Sequence, residues 1–333
     1  MRKTMTYGVA ILAGMALMSA MMAPAAAEEK KLEVDPGIAA YTKIAGIDGS
    51  VSSVGSDTLN NLMAYWQEGF KKQYPNVIIS NDPKGSSAAP KALIDGTADI
   101  GPMSREMKEE EIQKFEAKFG YKPAKVAVCI DALAVFVHKD NPVKSLTLEQ
   151  ADAIFSSTRK RGYKEDISKW GQLGASEGDW GNLAITLYGR NAASGTYGFF
   201  KDHVFKGGDY KSTVKEQPGS SSVVSTVSED RSAVGYSGIG YKTAGVRAVP
   251  LAAKEGGEAY DATAENCYSG KYPLSRFMYI YLNKAPGKEL SPVLREFLLF
   301  ILSKEGQEIV VKDGFIPLTK KMVDNNAKVV KAK

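Results

Sequence analysis

From Val51 onward, the sequence repeats one order of segments: a short apolar run, a loop rich in glycine and serine, and an amphipathic stretch. This alternation predicts strands followed by helices, which is typical of α/β proteins with open sheets. The predicted strands are residues 50–54, 77–80, 98–101, 125–130, 132–138, 183–187, 233–236 and 275–282. The predicted helices are residues 57–74, 86–95, 108–119, 148–155, 197–205, 220–229, 291–302 and 304–312. Because open α/β sheets bind ligands outside the carboxyl ends of their strands, the loops there are the first candidates for a site.

The loop that follows residues 183–187 carries a dense set of anion-binding groups, namely Arg190, Ser194 and Thr196, directly before a predicted helix. A helix N-terminus offers unpaired N–H groups and a partial positive charge. The hydroxyls can donate protons, and the planar guanidinium can hold two oxygens at once. Since no carboxylate lies between Arg190 and Thr196, the segment predicts a cradle for an oxyanion.

Three further loops place a serine between a predicted strand and a predicted helix, and these serines are Ser56, Ser86 and Ser104. Each hydroxyl could contact an oxyanion, or could simply cap the helix that follows it. Four hydroxyl-bearing loops of this kind in one chain favour a shared anion site over four unrelated helix caps.

The N-terminus has the pattern of a secretion signal, predicted at residues 1–27. Arg2 and Lys3 begin it, an apolar run follows at residues 9–22, and Ala25-Ala26-Ala27 provides a small-residue cleavage site. The apolar run is shorter than the about 20 residues that span a membrane. We therefore expect cleavage after Ala27 and an exported protein.

Length, net charge and cysteine content limit what the rest of the protein can be. Cleavage would leave 306 of the 333 residues, enough for two lobes of about 150 residues each. Losing the two basic residues of the signal lowers the net charge from +5 to +3, which is too mild to indicate a nucleic-acid partner. Cys129 and Cys267 could form one disulfide in an exported protein, or could stay as two separate buried thiols.

Residues for catalysis are sparse in this sequence. His138 and His203 are its two histidines, and neither is placed to serve a serine nucleophile beside an orienting acid. We find no zinc-ligand spacing, no EF-hand loop and no Walker loop. The sequence therefore favours a binding protein without metal or cofactor over an enzyme.

Arg105 stands next to Ser104 and has two interpretations. Its guanidinium could contact the ligand, or it could pair with Glu106 or Asp99. The sequence leaves both open.

The order of these loops resembles the periplasmic phosphate-binding component of high-affinity phosphate ABC transporters, over about residues 49–318. The resemblance rests on several runs of residues, and their order and spacing are more specific than any one of them. They are Gly55-Ser56-Asp57-Thr58-Leu59, Gly85-Ser86-Ser87, Asp99-Ile100-Gly101-Pro102-Met103-Ser104-Arg105, Ile130-Asp131-Ala132-Leu133-Ala134-Val135, Arg190 through Thr196, and Ala233-Val234-Gly235-Tyr236.

The resemblance implies a two-lobed periplasmic-binding-protein fold, with open α/β sheets joined by a two-strand hinge and phosphate held between the lobes. It implies a first lobe at residues 28–127, a second at 128–274 and a return segment at 275–333. The first lobe would contribute Ser56, Asp57, Thr58, Ser86 and Ser104. The second would contribute Arg190, Ser194, Gly195 through its backbone N–H, and Thr196.

Two departures from the family pattern bear on selectivity. The best-known members carry a carboxylate at the place of Ser104, and an acid where this chain has Ala192 or Ala193. A fixed carboxylate can accept the proton of phosphate but repels sulfate, which carries none. We expect Asp57 to take that role here.

The resemblance predicts a periplasmic monomer that captures inorganic phosphate by closing its lobes. The closed form would then dock on a membrane permease and its ATPase, and no bond of the ligand would change. The alternatives are a binding protein for another oxyanion, such as sulfate, arsenate or a phosphate ester, an exported phosphatase, and an extracellular adhesion role.

Overall fold

A 15-residue strand, Ala124–His138, organises the protein. In this computed structural model, which describes Met1 and residues 32–332, the predicted signal peptide lies outside the described residues except for Met1. All the elements below belong to one compact unit, Leu32–Lys333. The strands are β1 Ser50–Val54, β2 Ile78–Asp82, β3 Ile100–Met103, β4 Ala124–His138, β5 Leu146–Thr147, β6 Thr186–Arg190, β7 Lys215–Gln217, β8 Ala233–Gly238, β9 Val246–Ala248, β10 Leu251–Ala252, β11 Ala259–Tyr260 and β12 Ser275–Leu282. The helices are α1 Asn60–Gln73, α2 Ala88–Asp95, α3 Glu109–Phe119, α4 Leu148–Phe155, α5 Gly195–Phe205, α6 Ser220–Glu229, α7 Ala264–Tyr268, α8 Pro292–Ile301, α9 Lys304–Lys312 and α10 Lys320–Lys331.

Strand β4 corrects the prediction of two consecutive strands at residues 125–130 and 132–138. Asp131 does not interrupt it, because its carboxylate is paired inside the protein with Arg276. The first part of β4 pairs antiparallel with β12, with Asp131 opposite Arg276 and Ala132 opposite Ser275. From Leu133 onward, β4 pairs instead with β8 and, near its end, with β9. One strand therefore runs through two sheet regions.

We call these regions the first and second half-sheets. The first contains β2, β1, β3, β12 and the beginning of β4, and the second contains the rest of β4 with β8, β6, β7 and β9. Parallel pairing joins β1 to β2 and β3, and likewise joins β6 to β7 and β8. A separate three-stranded sheet has the order β11-β10-β5. The predicted α/β class with open sheets is confirmed.

Helix α1 shows why the strands are followed by helices. Leu62, Met63, Trp66 and Phe70 recur at helical spacing and are all buried, as the sequence pattern predicts. The chain enters α1 through a short 3-10 turn, Asp57–Leu59, so the regular helix begins at Asn60 rather than at residue 57. The indole nitrogen of Trp66 donates to the carbonyl of Gly306 at 2.9 Å, which ties α1 to α9.

The entrances to the helices fix where the loops end. Thr147 caps α4 by accepting from the backbone of Gln150, and Ser194 caps α5 by accepting from Thr196. These caps satisfy backbone N–H groups that the first helical turn leaves unpaired. Because β1, β2, β3 and β6 are each followed by a helix, the N-termini of α1, α2, α3 and α5 follow the carboxyl ends of these strands.

Candidate anion-binding site

The loops after β1, β2, β3 and β6 meet where the two half-sheets face each other. The Oγ1 atoms of Thr58 and Thr196, which come from opposite half-sheets, lie 3.0 Å apart. The Oγ atoms of Ser86 and Ser104 lie 3.3 Å apart, and the backbone N–H of Ser104 donates to Ser86 Oγ at 3.0 Å. All four hydroxyl side chains are buried.

Gly195 lies against the two serines, although it begins a helix on the other half-sheet. A Cβ at this position would come within 2.3 Å of Ser86 Oγ and 2.6 Å of Ser104 Oγ. Gly85 makes a comparable approach, with a φ of +98° and Ala193 O 2.5 Å from the position of a Cβ. The N–H of Ser87 donates to this same Ala193 carbonyl at 3.1 Å. The absence of side chains at these glycines lets the two loops touch.

Arg190 is buried within the same group of residues and points its guanidinium toward the first half-sheet. Its Nη2 lies 3.1 Å from Asp57 Oδ2 and donates to the carbonyl of Pro218 at 3.0 Å, while Nη1 donates to Ser220 Oγ at 2.6 Å. Burial lowers the pKa of the Arg190 guanidinium, and the nearby Asp57 carboxylate opposes that change. The carboxylate partner of Arg190 therefore comes from a different loop, after β1.

The remaining predicted residues join this group through the backbone and through burial. Ser194 Oγ accepts from the backbone N–H of Thr196 at 3.1 Å. The N–H of Ser56 donates to Pro102 O at 2.7 Å, which holds the first loop against the end of β3. The structure thus brings all nine predicted residues into one region. They are Ser56, Asp57, Thr58, Ser86, Ser104, Arg190, Ser194, Gly195 and Thr196.

Two polar atoms in this region have donor capacity to spare. Ser56 Oγ and Arg190 Nε are buried and have no hydrogen-bond partner among residues 32–332. A buried donor without a partner loses its hydration and gains nothing in exchange, which costs about 1–3 kcal/mol. A small oxyanion, which is rich in acceptors, could satisfy both atoms.

The sequence interpretation missed a second ion pair beside the site, between Arg276 on β12 and Asp131 on β4. The Nη2–Oδ2 distance is 2.7 Å, and the side chains are 2% and 0% exposed. Arg276 Nη2 also donates to Thr196 Oγ1 at 3.0 Å, and Nη1 donates to the carbonyl of Ser104 at 2.8 Å. The available signal was one aspartate within the otherwise apolar residues 126–137 and one arginine in the mostly apolar residues 275–282.

Ser220 and Tyr241 were also missed. The Ser220 N–H, at the start of α6, donates to Asp57 Oδ2 at 2.9 Å, and its Oγ lies 3.4 Å from Thr58 Oγ1. The hydroxyl of Tyr241 lies 3.3 Å from the carbonyl of Asp57 and donates to that of Thr58 at 3.0 Å. The second half-sheet therefore holds the Asp57–Thr58 turn from both sides.

Arg105 does not pair with Glu106 or Asp99 through its side chain. It forms a two-pronged pair with Glu111, with Nη2–Oε1 at 2.7 Å and Nη1–Oε2 at 2.8 Å, and donates to the backbone carbonyl of Glu106. The sequence-based prediction that Arg105 pairs with Glu106 or Asp99 was therefore wrong. Its Nη2 also reaches Ser87 Oγ at 3.4 Å.

The cysteines and histidines take no part in the site. Cys129 and Cys267 are both buried and free, so of the two alternatives the structure has separate thiols. His203 stacks on Phe199, with 3.8 Å between ring centroids, and its Nδ1 lies 3.0 Å from the Phe199 carbonyl. His138 Nδ1 accepts from the backbone of Asp140. Across the described residues, no cluster of three or more His, Cys, Asp or Glu side chains could hold a metal ion.

The chemistry that this arrangement offers is the binding of an anion. The donors are hydroxyls, a guanidinium and the N–H groups at the start of α5, and they reach the region from both half-sheets. Hydroxyls and helix N-termini bind oxyanions through fixed dipoles. An open α/β fold with a candidate anion site where two half-sheets face each other is typical of extracytoplasmic solute-binding proteins, and comparison with known proteins agrees with this class.

The model of the PBP superfamily domain matches residues 40–305, and the chain belongs to this superfamily. Its two-lobed fold is that of the periplasmic binding proteins. Among curated relatives, the phosphate-binding protein PstS of Pseudomonas aeruginosa is 52% identical over 314 residues, covering 94% of this chain and 97% of the relative.

Solved structures give the same result. A candidate phosphate ABC transporter substrate-binding protein from Clostridium perfringens, solved with bound phosphate, superposes with a TM-score of 0.68 at 32% identity. The match covers 81% of this chain and all of that one. An ABC-type phosphate transport receptor from Vibrio cholerae superposes with a TM-score of 0.63 at 26% identity, covering 80% of this chain and 100% of the receptor.

Proposed function

We propose that this protein captures inorganic phosphate between its two lobes in the periplasm and delivers it to an ABC permease. The similarity to the P. aeruginosa phosphate-binding protein PstS supports the ligand. The similarity to the C. perfringens and V. cholerae proteins of phosphate transport supports the transport role. The candidate site supplies the chemistry that phosphate requires, because its donors are buried and lie on both half-sheets.

The observation that carries this proposal is the pair of unsatisfied donors, Ser56 Oγ and Arg190 Nε, for which residues 32–332 offer no partner. Both side chains are almost fully buried, at 3% and 1% exposure. A tetrahedral oxyanion offers several acceptors around one centre and can satisfy donors that approach from different directions. Ser56, Asp57, Thr58, Ser86, Ser104, Arg190, Ser194, Gly195 and Thr196 would form its shell.

Closure of the lobes would complete this shell. We assign the first lobe to residues 28–127, the second to 128–274 and the return segment to 275–333, with β4 and β12 as the two connecting strands. Thr58 and Thr196, Gly195 and Ser86, and Asp57 and Arg190 approach each other across the two half-sheets. A hinge motion would separate these pairs and release the ligand.

The wider context of the proposal follows from the relatives. They are named for phosphate binding or for phosphate transport, not as catalysts, and we infer that this chain also leaves its ligand unchanged. We assign it to the periplasm as a monomer, released there after cleavage at Ala27, with a membrane permease and ATPase as partners. Within the described residues, no helix is both long and apolar enough to cross a membrane.

Calorimetric titration of the purified mature protein with phosphate, arsenate and sulfate tests the proposal. We expect one phosphate per chain, similar binding of arsenate because it has the same shape and protonation, and much weaker binding of sulfate. Preference for sulfate, or for a phosphate ester, would show that the ligand is another oxyanion. Turnover of a chromogenic phosphate ester that is lost in Ser194→Ala would instead identify a phosphatase.

Arg190→Ala gives the corresponding test of the site. We expect phosphate affinity to fall by about a hundredfold or more, because a buried charged hydrogen-bond donor is lost. Arg231→Ala is a suitable control, since Arg231 is exposed and pairs with Asp179. If phosphate affinity changes less than about threefold in Arg190→Ala, Arg190 does not contact the anion.

A further inference from the structure

Arg276 touches the candidate site without belonging to any of the loops that form it. It lies on β12 directly opposite Asp131 on β4, at the end of the pairing between these strands. Its Nε and Nη2 both donate to Asp131 Oδ2, at 3.0 and 2.7 Å. The other oxygen of Asp131 accepts from the backbone N–H of Ile239, just after β8, at 3.0 Å. The ion pair is therefore bound to both half-sheets.

The other contacts of Arg276 lead into the site. Nη1 donates to the carbonyl of Ser104, in the loop after β3, and Nη2 donates to Thr196 Oγ1, in the first turn of α5. Ser104 and Thr196 are both proposed phosphate contacts, and they belong to opposite half-sheets. One guanidinium thus fixes the relative positions of a strand pair, a loop and a helix start.

The contact with Thr196 also determines the direction of a hydroxyl proton. A guanidinium can only donate, so Thr196 Oγ1 must accept from Arg276. The single proton of Thr196 is then directed elsewhere, toward Thr58 Oγ1 at 3.0 Å or toward a bound anion. Arg190 acts similarly on Ser220, because its Nη1 donates to Ser220 Oγ at 2.6 Å. Both guanidinium groups orient neighbouring hydroxyls as donors.

We propose that Arg276 is a positioning residue of the phosphate site, which holds the Thr196 hydroxyl as a proton donor to the anion and couples that hydroxyl to the β4–β12 junction. This inference rests on the proposed function. Arg276 acts through Thr196, so its contribution disappears when Thr196 can no longer accept a hydrogen bond.

A double-mutant cycle on the mature protein tests this coupling. Phosphate affinity is measured by calorimetry for the wild type, Arg276→Met, Thr196→Val and the double variant. We expect Arg276→Met alone to weaken binding about tenfold or more, since it removes a charge-assisted hydrogen bond. We expect the double variant to lose at least about threefold less than the product of the two single losses, as coupled neighbours do.

Arg276→Lys and an exposed arginine provide the comparisons. Lysine keeps the charge and a donor, so Arg276→Lys should recover part of the affinity lost in Arg276→Met. If Arg276→Met does not fold, the same cycle is run with Arg276→Lys. Arg231→Met should leave phosphate affinity unchanged, because Arg231 pairs with Asp179 on the surface.

The outcomes separate the two levels of the proposal. If the wild type does not bind phosphate, the proposed function is wrong. If the wild type binds phosphate but Arg276→Met binds it within threefold of the wild type, the positioning role is wrong. The positioning role is also wrong if the affinity loss of the double variant equals the product of the two single losses. A residue with a purely structural role weakens binding independently of Thr196.

Discussion

At the scale of single residues, the salient feature is the origin of the carboxylate that partners Arg190. The sequence lacks an acid between Arg190 and Ser194, and the structure supplies Asp57 from the opposite half-sheet at 3.1 Å. Asp57 Oδ2 also accepts from the Ser220 N–H at 2.9 Å. An ion pair that spans the two half-sheets can form only when they are close, so under the proposed hinge motion Asp57 would link the charge of the site to closure.

Asp57→Asn tests both this link and the expected role of Asp57 as acceptor for the phosphate proton. We expect phosphate affinity to fall about tenfold, because the amide is a weaker acceptor for the phosphate proton than the carboxylate and no longer positions Arg190 through an ion pair. We also expect the preference for phosphate over sulfate to shrink, since the neutral amide no longer repels sulfate. Competition titrations with both anions measure the two effects.

Asp99→Asn is the matched control for this substitution. The Asp99 carboxylate, like that of Asp57, accepts from a backbone N–H; it accepts from the N–H and the hydroxyl of Ser52 at 2.7 and 2.8 Å. Within residues 32–332 it has no hydrogen bond or ion pair with a site residue. The Asp99→Asn variant should prefer phosphate over sulfate to the same extent as the wild type. An unchanged preference in Asp57→Asn would assign the acceptor role to another group.

The sequence could group site residues where their chemistry and their position in the chain coincide. Ser56, Ser86 and Ser104 lie in the loops after β1, β2 and β3, and Arg190 is the last residue of β6. The carboxyl ends of strands are where such open sheets bind ligands, so these positions could be grouped from the sequence. Arg276 lies inside a strand instead, and its partner Asp131 is 145 residues away along the chain. A one-dimensional pattern does not show which distant strands pair, so the second ion pair could not be placed from it.

At the scale of elements, the start of α5 packs tightly against the loops of the opposite half-sheet. Gly195 is the first residue of this helix, and Ser194 caps it. The helix has to start without a side chain because Ser86 and Ser104 occupy the space where a Cβ would lie. The same closeness directs the first N–H groups of the helix at the site.

Gly195→Ala should separate stability from binding. Alanine favours helices over glycine by about 0.8–1.0 kcal/mol in a helix interior, so helix α5 itself should tolerate the change. Phosphate affinity should fall by about a hundredfold, since the methyl group would displace the hydroxyls of Ser86 and Ser104 as the half-sheets close. Thermal unfolding and calorimetry measure the two properties.

Gly198→Ala is the control one turn further along α5. Its Cβ would lie 3.3 Å from the flexible Arg105 side chain at Cδ, so phosphate affinity should change little. Equal losses in the two variants would show that helix packing matters, not the approach to the serines.

Element prediction was accurate where the burial pattern is strong. Helices α4 and α9 and strand β12 begin and end at the predicted residues. The prediction missed α10, since just Val323 and Val330 among its residues are buried and the rest of its pattern is polar. It divided β4 at Asp131 because a buried charge resembles a break when its partner is unknown.

At the scale of the whole molecule, the region where the half-sheets meet also holds a carboxyl group outside the site. Asp313 follows α9, and its carbonyl lies 2.6 Å from the position of a Cβ on Gly240, which belongs to the turn after β8. Its Oδ2 atom is buried and has no hydrogen-bond partner within the described residues. Burial raises the pKa of Asp313 to about 7.

The stability of the protein should therefore depend on pH through Asp313. A carboxyl whose pKa is raised by folding stabilises the fold when protonated, so this contribution is lost as pH rises from about 4 through 7. Asp313→Asn should unfold like the wild type at pH 4. At pH 8 it should be more stable by about 1 kcal/mol, a modest gain because the residue remains partly exposed.

Thermal unfolding of both proteins between pH 4 and pH 8 measures this difference. Asp324→Asn, at an exposed position paired with Lys320 on α10, should show no such rising difference. A constant offset between Asp313→Asn and the wild type across this range would mean that Asp313 does not titrate there.

Each guanidinium at the site carries its own carboxylate, Arg190 with Asp57 and Arg276 with Asp131. The binding region is thus close to electrically neutral before the anion arrives, and its attraction comes from oriented N–H and O–H dipoles at contact distance. Dissolved ions screen interactions between distant charges within about 10 Å at 0.1 M, but they reach a buried, closed site poorly. A binding protein built in this way can keep nearly the same affinity for its ligand whether the surrounding medium is dilute or saline.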